Sequence, residues 1–537
     1  MTNDSSQAST APTSANIHAA RRRIQDQLEV EPTASTVDGR TFSYEAPVRL
    51  AMPAGEFATI TATDGRTWLG RVLDTEVVER EGPAFEVAGD AGLGTGQGLE
   101  SLQVTGMTFR LRLQHAHGHG VLIGRIEDHR MVGTGPDDRF DRAVIEPAGA
   151  DRIASYLSAL DTGRTRLDVG TLAGFDRDIP ASVLAGGFGR HTFLVGQSGS
   201  GKTYSLGVVL ERLLLDTDLR IIIVDPNSDY VRLADLHEKA APESPDVTAR
   251  YREAVAGVRV LRPAGRATSE DNTLRIRFSD LSERVQALVL RIDPLEHREE
   301  FDSFRTIVRQ METEHYSLHD VQEAAQRNLS AESRRIALRI AALGNSHWDL
   351  WAETGQPSLR DIGDDWRALI LDVGGFEQPE EKSLVANAVL QSLWARRDQR
   401  QPVLVVIDEA HNICPQEPDD PIQEMATQRA ISIAAEGRKY GLYLLLSTQR
   451  PSKIHINILS QCDNLMLMRM NSESDLQHLA QVFSFVPETL LARSTTFAQG
   501  ESLIAGKISP VPLLIRFGKR FSEEGGSDVP DTWTRNR

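Results

Sequence analysis

The sequence predicts an α/β protein, and three observations carry that prediction. From about residue 185, near-continuous apolar runs alternate with helical stretches, the pattern of a parallel sheet covered by helices on both faces. Between Asp280 and about Ala352 the pattern is almost purely helical, which predicts a helical insertion within that sheet domain. Residues 46 to 150 form short alternating segments broken by Gly and Asp, which predicts a small antiparallel barrel.

Six apolar runs are the predicted strands of the α/β core: HTFLVG, LRIIIVDP, RALILDV, PVLVVIDE, GLYLLLSTQ and DNLMLMRM. In the N-terminal part, the pair Asp64-Gly65 between two alternating runs predicts a β-hairpin. The predicted boundaries are a disordered Ser/Thr-rich tail over 1–45, the barrel over 46–150, a first part of the core over 151–279, the helical insertion over 280–360, a second part of the core over 361–520 and a C-terminal tail over 521–537.

Composition narrows the class of protein without choosing a function. The 537 residues are 40% hydrophobic and 25% charged, as in ordinary globular proteins. No run approaches the ~18 apolar residues that cross a bilayer, the N-terminus lacks the apolar region of a secretory signal, and only two cysteines occur. We therefore expect a cytoplasmic protein without a membrane partner. The net charge of −17 argues against a surface coated in nucleic acid, but leaves room for a local basic lining.

A phosphate-binding loop follows the first core strand. The stretch FLVGQSGSGKTYS holds the complete pattern Gly196-x4-Gly201-Lys202-Thr203 between an apolar run and a helical one. Its glycines let the backbone wrap round phosphate at a helix N-terminus. Lys202 would reach the β- and γ-phosphates, and Thr203 would ligate Mg²⁺ through its hydroxyl. The candidate nucleotide-binding residues are Gly196, Gln197, Ser198, Gly199, Ser200, Gly201, Lys202, Thr203 and Tyr204.

An acidic pair ends the run PVLVVIDEAHN. Asp408 and Glu409 follow four apolar residues, at the end of the strand where such sheets bind ligands. We expect Asp408 to hold Mg²⁺ through its water shell and Glu409 to act as the general base on the attacking water. An adjacent Asp-Glu pair favours hydrolysis over transfer, and the absence of the Asn-Lys pair of guanine-reading motifs favours ATP over GTP.

The apolar run GLYLLLSTQRP ends abruptly in polar residues. If it lies beside PVLVVIDE, then Gln449 falls next to Asp408 and Glu409. There Gln449 would bond the γ-phosphate or the water and report the state of the nucleotide. The alternative is that Gln449 only caps its strand.

Taken together, these motifs resemble the HerA family, over about Ala46 to Arg520. The resemblance is carried by the P-loop GQSGSGKT, the acidic strand VVIDEAHN, the stretch AAEGRKYGLYLLLSTQRPSKIHINILSQCDNLMLMRM and the predicted barrel. HerA proteins are hexameric, RecA-like ATPases, related to FtsK and known as translocases of double-stranded DNA. The resemblance implies a RecA-like core, a barrel that assists ring assembly and partner docking, and the roles already given to Lys202, Thr203, Asp408, Glu409 and Gln449.

The resemblance adds three candidate site residues: Asp225 for nucleotide binding, and Arg190 and Arg438 for catalysis. Asp225 ends the second core strand in IIIVDPNSDY, where the family shows an acid that is often followed by a Gly-Glu pair; here Ser228-Asp229 replaces that pair. Arg190 in GRHTFLVG and Arg438 in EGRKYG occupy positions that would reach the nucleotide of an adjacent subunit. For Arg438, the alternative is a basic residue set against the C-terminal end of its helix dipole.

The sequence shows no nuclease constellation of its own. The resemblance therefore implies a separately encoded effector, a nuclease or a sirtuin-like NAD hydrolase, acting in DNA-end processing or antiphage defence. Two alternatives stay open: a conjugation-type or FtsK-like pump, which the absent transmembrane segment disfavours, and a scaffold whose ATP site only stabilises a ring around an effector. His115, His117 and His119 would share a strand face, but no Cys or carboxylate is interleaved, so we predict no metal site there.

Overall fold

The protein is described here by a computed structural model, which covers residues 29–86, 108–127, 130–159, 163–175, 178–237, 245–311, 315–509 and 511–525. The chain divides into two compact units, Met1–Asp161 and Thr162–Arg537. The predicted N-terminal tail up to residue 28 and the predicted C-terminal tail from residue 526 onwards lie outside the described residues.

The first unit is an antiparallel sheet whose hydrogen-bonded order returns to its starting strand. The sheet order is β2-β1-β7-β3-β4-β5-β6, and β2 also pairs along its other edge with β5. Its elements are β1 (Thr33–Thr36), β2 (Thr41–Pro47), β3 (Phe57–Thr61), β4 (Thr67–Glu86), β5 (Thr108–Glu127), β6 (Arg130–Val132), β7 (Phe140–Pro147) and helix α1 (Ala150–Ala159). Aromatic side chains from several strands, including Tyr44, Trp68 and Phe140, form its apolar core.

Two strands of this unit correct the predicted N-terminal tail, which extends too far. β1 lies within residues 1–45 and β2 begins there at Thr41, and Phe42 and Tyr44 of β2 alternate into the core at 2% and 1% exposure. In β1, the small Ser and Thr side chains hide the alternation between buried and partly buried positions in the sequence. The hairpin predicted at Asp64-Gly65 is confirmed: Thr61 pairs with Thr67, and Gly65 takes the left-handed φ of +88° that glycine adopts without strain.

The second unit contains one sheet of 11 strands, and all six predicted core strands are present in it. The order is β12-β13-β11-β14-β15-β10-β16-β17-β18-β8-β9. The strands are β8 (Arg166–Leu172), β9 (Pro180–Leu184), β10 (His191–Val195), β11 (Arg220–Asp225), β12 (Val258–Leu261), β13 (Ala368–Asp372), β14 (Val403–Ile407), β15 (Leu442–Thr448), β16 (Cys462–Leu467), β17 (Glu501–Gly506) and β18 (Leu513–Phe517).

The predicted parallel sheet describes only part of this one. From β12 to β16 every pairing is parallel, whereas β16–β17, β17–β18, β18–β8 and β8–β9 are antiparallel. Antiparallel neighbours can be joined by short connections, and the pairs β8–β9 and β17–β18 follow each other without an intervening helix, so they lack the strand–helix alternation by which a parallel sheet is recognised in a sequence.

Helices cover the sheet, and four of them lie in the segment predicted as a helical insertion. Those four are α4 (Glu283–Val289), α5 (Arg298–Arg309), α6 (Leu318–Arg327) and α7 (Ala331–Leu343). The others are α2 (Lys202–Asp216), α3 (Pro245–Val255), α8 (Pro379–Ala395), α9 (Pro421–Glu436), α10 (Ile456–Leu459), α11 (Glu473–Val482) and α12 (Glu488–Ala492). Within the described part of the chain, no helix is both long enough and apolar enough for a bilayer.

The chain beyond β18 remains attached to the core, which corrects the predicted start of the C-terminal tail at residue 521. The N–H of His237 donates to the carbonyl of Phe521, and the N–H of Glu523 donates to the carbonyl of Asp235. Ser522 forms a β-bridge with Leu236 and is 3% exposed. Because these contacts are made largely by the backbone, the polar sequence FSEEGG gives little sign of them.

Candidate nucleotide site

The predicted site residues meet where the central parallel strands end. β10 leads into the P-loop, β14 ends just before Asp408 and Glu409, and β15 ends just before Gln449. Strand β15 pairs with β10 on one side and with β14 on the other, as the sequence argument required for Gln449. The carboxyl ends of parallel strands share one edge of the sheet, so these loops form one site.

The P-loop turns through two glycines in the left-handed region, Gly199 at φ +71° and Gly201 at φ +92°. Gly201 caps helix α2, which begins at Lys202. A side chain at Gly201 would also meet the backbone nitrogen of Gly500 at 3.0 Å, so the loop is closely backed on that side. This geometry directs the N–H groups at the start of α2 towards the place of a bound phosphate.

Lys202 is the buried cation of the site. Its Nζ donates to Asp408 Oδ1 at 3.0 Å, to Glu409 Oε1 at 3.1 Å and to Ser447 Oγ at 3.0 Å. Burial acts to lower the pKa of Lys202, but the charges of Asp408 and Glu409 outweigh it and raise that pKa above its usual range. Lys202 is therefore an ammonium held in position to bond phosphate oxygens.

Glu409 is held in a strained conformation by two neighbours. Its φ of +44° lies in the left-handed region, which costs a non-glycine residue energy. Gln449 Nε2 donates to Glu409 Oε1 at 2.9 Å. His411 Nδ1 lies 3.3 Å from Glu409 Oε2 and 3.0 Å from Thr448 Oγ1. Gln449 thus holds one carboxylate oxygen, whereas the other, Oε2, is buried without a protein hydrogen-bond partner.

His411 was missed in the sequence, although it stands two residues after Glu409 in DEAHN. The short 3₁₀ turn over Ala410–Asn412 brings its imidazole back beside the carboxylate. Burial is the main cause that lowers the pKa of His411. The imidazole is therefore neutral near pH 7 and lies beside Glu409 without adding a charge; its hydrogen bond is to Thr448 Oγ1.

Oxygen atoms suited to Mg²⁺ gather beside the first turn of α2. Thr203 Oγ1 donates to Asp229 Oδ2 at 3.4 Å, and Asp408 Oδ2 is buried without a protein hydrogen-bond partner. Burial, followed by the charge of Asp408, raises the pKa of Asp229, as expected where carboxylates crowd together. In the described ranges, no three His, Cys, Asp or Glu residues form a metal cage of their own. Mg²⁺ suits this setting because it takes one or two carboxylates with phosphate and water oxygens.

Asp225 shapes the loop that carries Asp229. It is fully buried and accepts hydrogen bonds from the N–H groups of Asn227 at 3.2 Å, Asp229 at 3.1 Å and Tyr230 at 2.8 Å. Burial raises the pKa of Asp225 to about 7. Its carboxylate thus faces the backbone of its own loop, and Asp229 is the acid of that loop whose carboxylate meets Thr203.

The outer side of the P-loop is held by the segment after β16. The carbonyl of Arg469 accepts from the N–H of Gln197 at 3.0 Å, and Arg469 Nη2 donates to the carbonyl of Gly199 at 3.3 Å. The N–H of Asn471 donates to Gln197 Oε1 at 3.2 Å. Gln197 therefore anchors the loop, whereas Ser198 is exposed at its crest.

Arg190 and Arg438 lie at the opposite edge of the sheet from the P-loop of the same chain. Arg190 precedes β10, whose five residues span roughly 17 Å before the P-loop begins. Both guanidinium groups face Asp463 at the start of β16, with Nη1–Oδ2 distances of 3.5 Å for Arg190 and 3.2 Å for Arg438. Neither reaches the nucleotide site of its own chain.

The three histidines singled out in the sequence lie on β5 of the first unit. His115 is buried, and the rings of His117 and His119 meet edge to face with centroids 4.9 Å apart.

Comparisons with known proteins point to one family. The family model described as "Helicase HerA, central domain" matches residues 167–393. The chain is 23% identical over 382 residues to the DNA double-strand break repair helicase HerA of Sulfurisphaera tokodaii, covering 67% of this chain and 70% of that protein. It is 20% identical over 421 residues to the protein of the same name from Sulfolobus acidocaldarius, covering 74% and 79%.

Solved structures to which the chain is similar include VirB4 of Thermoanaerobacter pseudethanolicus, at a TM-score of 0.44 and 16% identity over 66% of this chain and 96% of that one. Another is the plasmid coupling protein TrwB in complex with ADP and Mg²⁺, at a TM-score of 0.40 and 14% identity over 67% and 98%.

Proposed function

The chain belongs to the HerA family of ATPases, and from that premise we propose that it is a ring-forming motor that hydrolyses ATP to move along double-stranded DNA. The observation that carries the motor assignment is the complete hydrolytic set at the strand ends. Glu409 accepts hydrogen bonds from Gln449 and Lys202 through Oε1, and His411 lies 3.3 Å from its Oε2. A ring that used ATP only as structural support would need Lys202 but would not need an oriented base.

The residues of the site divide the work of hydrolysis. The amides of the P-loop and Lys202 bind the phosphates of ATP, and Thr203 and Asp408 would hold Mg²⁺, which neutralises the charge that develops during phosphoryl transfer. Glu409 accepts the proton of the attacking water. Gln449 shares the oxygen Oε1 of Glu409 with Lys202, so it is placed to respond when phosphate takes up the lysine.

The position of the two arginines supports a ring. Arg190 and Arg438 lie at the far edge of the sheet from their own P-loop, so in this proposal they complete the nucleotide site of a neighbouring copy. We propose a hexamer with RecA-like cores. In it, the first unit forms a closed barrel that helps to assemble the ring, as the pairing of β2 with both β1 and β5 supports.

The partner of the ring is a separately encoded effector. In this proposal it is a nuclease or a sirtuin-like NAD hydrolase that docks on the first unit, in DNA-end processing or antiphage defence. The first unit adds no chemistry of its own in this scheme and serves as the docking surface.

ATP turnover with and without long duplex DNA tests the motor. We expect duplex DNA to stimulate the turnover of the wild-type protein, and the Glu409→Gln variant to show strongly reduced turnover in either condition. If duplex DNA leaves the rate of ATP turnover unchanged, and if a Glu409→Gln ring still activates its effector, the ATP-stabilised scaffold would be favoured instead.

A further inference from the structure

The helix that follows the P-loop is crossed by a distant segment, residues 519–525, which we call the C-terminal strap. The N–H of Arg520 donates to the phenol oxygen of Tyr204 at 2.8 Å. The N–H groups of Phe521 and Ser522 donate to the two carboxylate oxygens of Glu211 at 2.8 and 2.7 Å. Glu211 is fully buried on α2, where Arg212 Nη1 also lies 3.4 Å from Oε2, so the strap supplies the shorter hydrogen bonds of an interior carboxylate.

The side chain of Arg520 fills the space between α2 and the loop after β11. It is 1% exposed, and its Nε donates to Ser522 Oγ at 3.0 Å. Its Nη2 donates to the carbonyl oxygens of Asp229 at 3.4 Å and of Glu523 at 3.3 Å. The guanidinium lies 5.7 Å from the centre of the Tyr230 ring. The buried guanidinium of Arg520 therefore donates to the main chain of the loop that carries Asp229.

Helix α2 carries a glycine where Arg520 packs. A Cβ atom at Gly207 would lie 2.6 Å from Nε and 2.7 Å from Cζ of Arg520, which is closer than any real contact. Glycine inside a helix costs roughly 1 kcal/mol relative to alanine. The helix is therefore shaped around the guanidinium at the expense of its own stability.

Asp229 joins the strap to the magnesium-binding end of the site. Its carbonyl accepts from Arg520 and from the N–H of Gly525 at 3.1 Å, while its carboxylate accepts from Thr203 Oγ1. Arg520 thus holds the backbone of Asp229 from behind while the carboxylate faces the hydroxyl that would ligate Mg²⁺.

We propose that Arg520 is a positioning residue for Mg²⁺: by fixing the backbone of Asp229, it sets the Asp229 carboxylate beside Thr203, where that carboxylate binds the water shell of the ion. The contacts of residues 519–525 would then affect how tightly the site binds Mg²⁺. This inference rests on ATP and Mg²⁺ binding at the P-loop and is independent of DNA, so its failure and that of the translocation proposal are separable.

The test measures the equilibrium binding of a fluorescent ATP analogue in EDTA and across a Mg²⁺ titration, without hydrolysis. Arg520→Lys keeps a positive charge near Glu211 but loses the planar fork that reaches the Asp229 carbonyl. Groups that orient a metal site typically change metal affinity 10- to 100-fold, so we expect the Mg²⁺ concentration for half-maximal binding to rise about tenfold. Affinity in EDTA should stay at the wild-type value.

Arg212→Lys is the matched control. Arg212 also grips the strap, through the carbonyl of Lys519 at 3.1 Å and the ring of Phe521 at 3.8 Å, but no contact joins it to Asp229. It should lower thermal stability and leave the Mg²⁺ titration unchanged. A shift in this control equal to that of Arg520→Lys would overturn the proposal, because loosening the strap would then be enough.

A double-mutant cycle with Asp229→Asn separates positioning from general disruption. If Arg520 acts through Asp229, then Arg520→Lys adds nothing to the Mg²⁺ shift of Asp229→Asn. Fully additive shifts, an unchanged Mg²⁺ titration in Arg520→Lys, or an equal loss of affinity in EDTA would each contradict the assignment.

Discussion

Gln449 Nε2 and Glu409 Oε1 are joined by a hydrogen bond of 2.9 Å that links the tips of two neighbouring strands. The same oxygen accepts from Lys202 at 3.1 Å. One atom of Glu409 is therefore shared between the lysine that binds phosphate and the glutamine that begins the next loop. When phosphate draws Lys202 away, the bond to Gln449 is the one that remains to orient the carboxylate.

Gln449→Ala should lower kcat on the order of tenfold to a hundredfold, the scale on which oriented polar groups contribute to a transition state. ATP affinity should change little, because the P-loop and Lys202 remain. Gln449→Glu should be more damaging, because two carboxylates about 3 Å apart repel and one of them takes up a proton. Steady-state turnover and nucleotide titration measure both effects, and normal turnover in both variants would reduce Gln449 to a strand cap.

Lys202→Ala and Glu409→Gln should separate binding from chemistry. The first removes the buried ammonium that bonds phosphate, so we expect nucleotide binding to be lost. The second keeps the shape of the side chain and removes the base, so ATP should bind while turnover falls on the order of 10²- to 10⁴-fold. Near-normal turnover in Glu409→Gln would contradict the assignment of Glu409 as the general base.

The site residues that can be predicted from the sequence are those whose positions follow from a local sequence motif. Asp408 follows a buried strand directly, Lys202 follows another through the P-loop, and the parallel order of those strands brings them together. Asp229, Arg469 and Arg520 carry no such signal, because contacts between segments far apart in the chain place them at the site.

The misjudged segments share a different cause. Strand β1 in the predicted N-terminal tail consists of small Thr, Ala and Ser residues, so its alternation is weak. Residues 521–525 are held mainly through backbone N–H and C=O groups, which every sequence has. Neither kind of attachment changes composition enough to be seen in the sequence.

Acid should destabilise the second unit through His191. The N–H of Leu444 donates to Nδ1 of this buried imidazole at 3.0 Å, and burial lowers the pKa of His191 to about 4. The unfolded chain takes up the proton near pH 6.5 and the folded protein does not, so this contribution is present above that pH and is lost as pH falls towards 4. Between pH 7 and pH 5 the loss amounts to about 2 kcal/mol.

Urea denaturation at both pH values, followed by circular dichroism, measures the effect. His191→Gln keeps a side-chain acceptor for Leu444 and does not titrate. Its free energy of unfolding should therefore fall by about 2 kcal/mol less than that of the wild type over this range. Equal losses in the two proteins would show that other groups account for the acid sensitivity.

Deleting the first unit, Met1–Asp161, should leave a chain that binds ATP but assembles poorly and loses its effector. Every site residue named above belongs to the second unit, which has its own sheet and core. Light scattering gives the mass of the assembly, and a pull-down with the product of the neighbouring gene tests the effector. A truncated chain that forms full rings and keeps the effector would require another role for the first unit.

The arginine pair should act on the neighbouring subunit. Arg190→Ala or Arg438→Ala is expected to lower turnover, by up to ~10³-fold where a trans arginine is essential, while nucleotide affinity per subunit stays nearly intact. Asp463→Asn removes the carboxylate that both guanidinium groups face, at 3.5 and 3.2 Å, but leaves both arginines in place. It serves as the control for disturbance of this edge of the sheet.

Mixing subunits distinguishes an arginine that acts across the interface from one that only stabilises its own fold. A Glu409→Gln subunit supplies an intact arginine, and an Arg190→Ala or Arg438→Ala subunit supplies an intact base. A mixed ring therefore contains competent sites wherever the two meet in the right order, although each parent ring is inactive. Turnover should recover to a fraction of the wild-type rate, with a maximum at intermediate mixing ratios. If neither arginine variant loses activity alone, or if no mixture recovers it, the trans assignment is wrong for both residues.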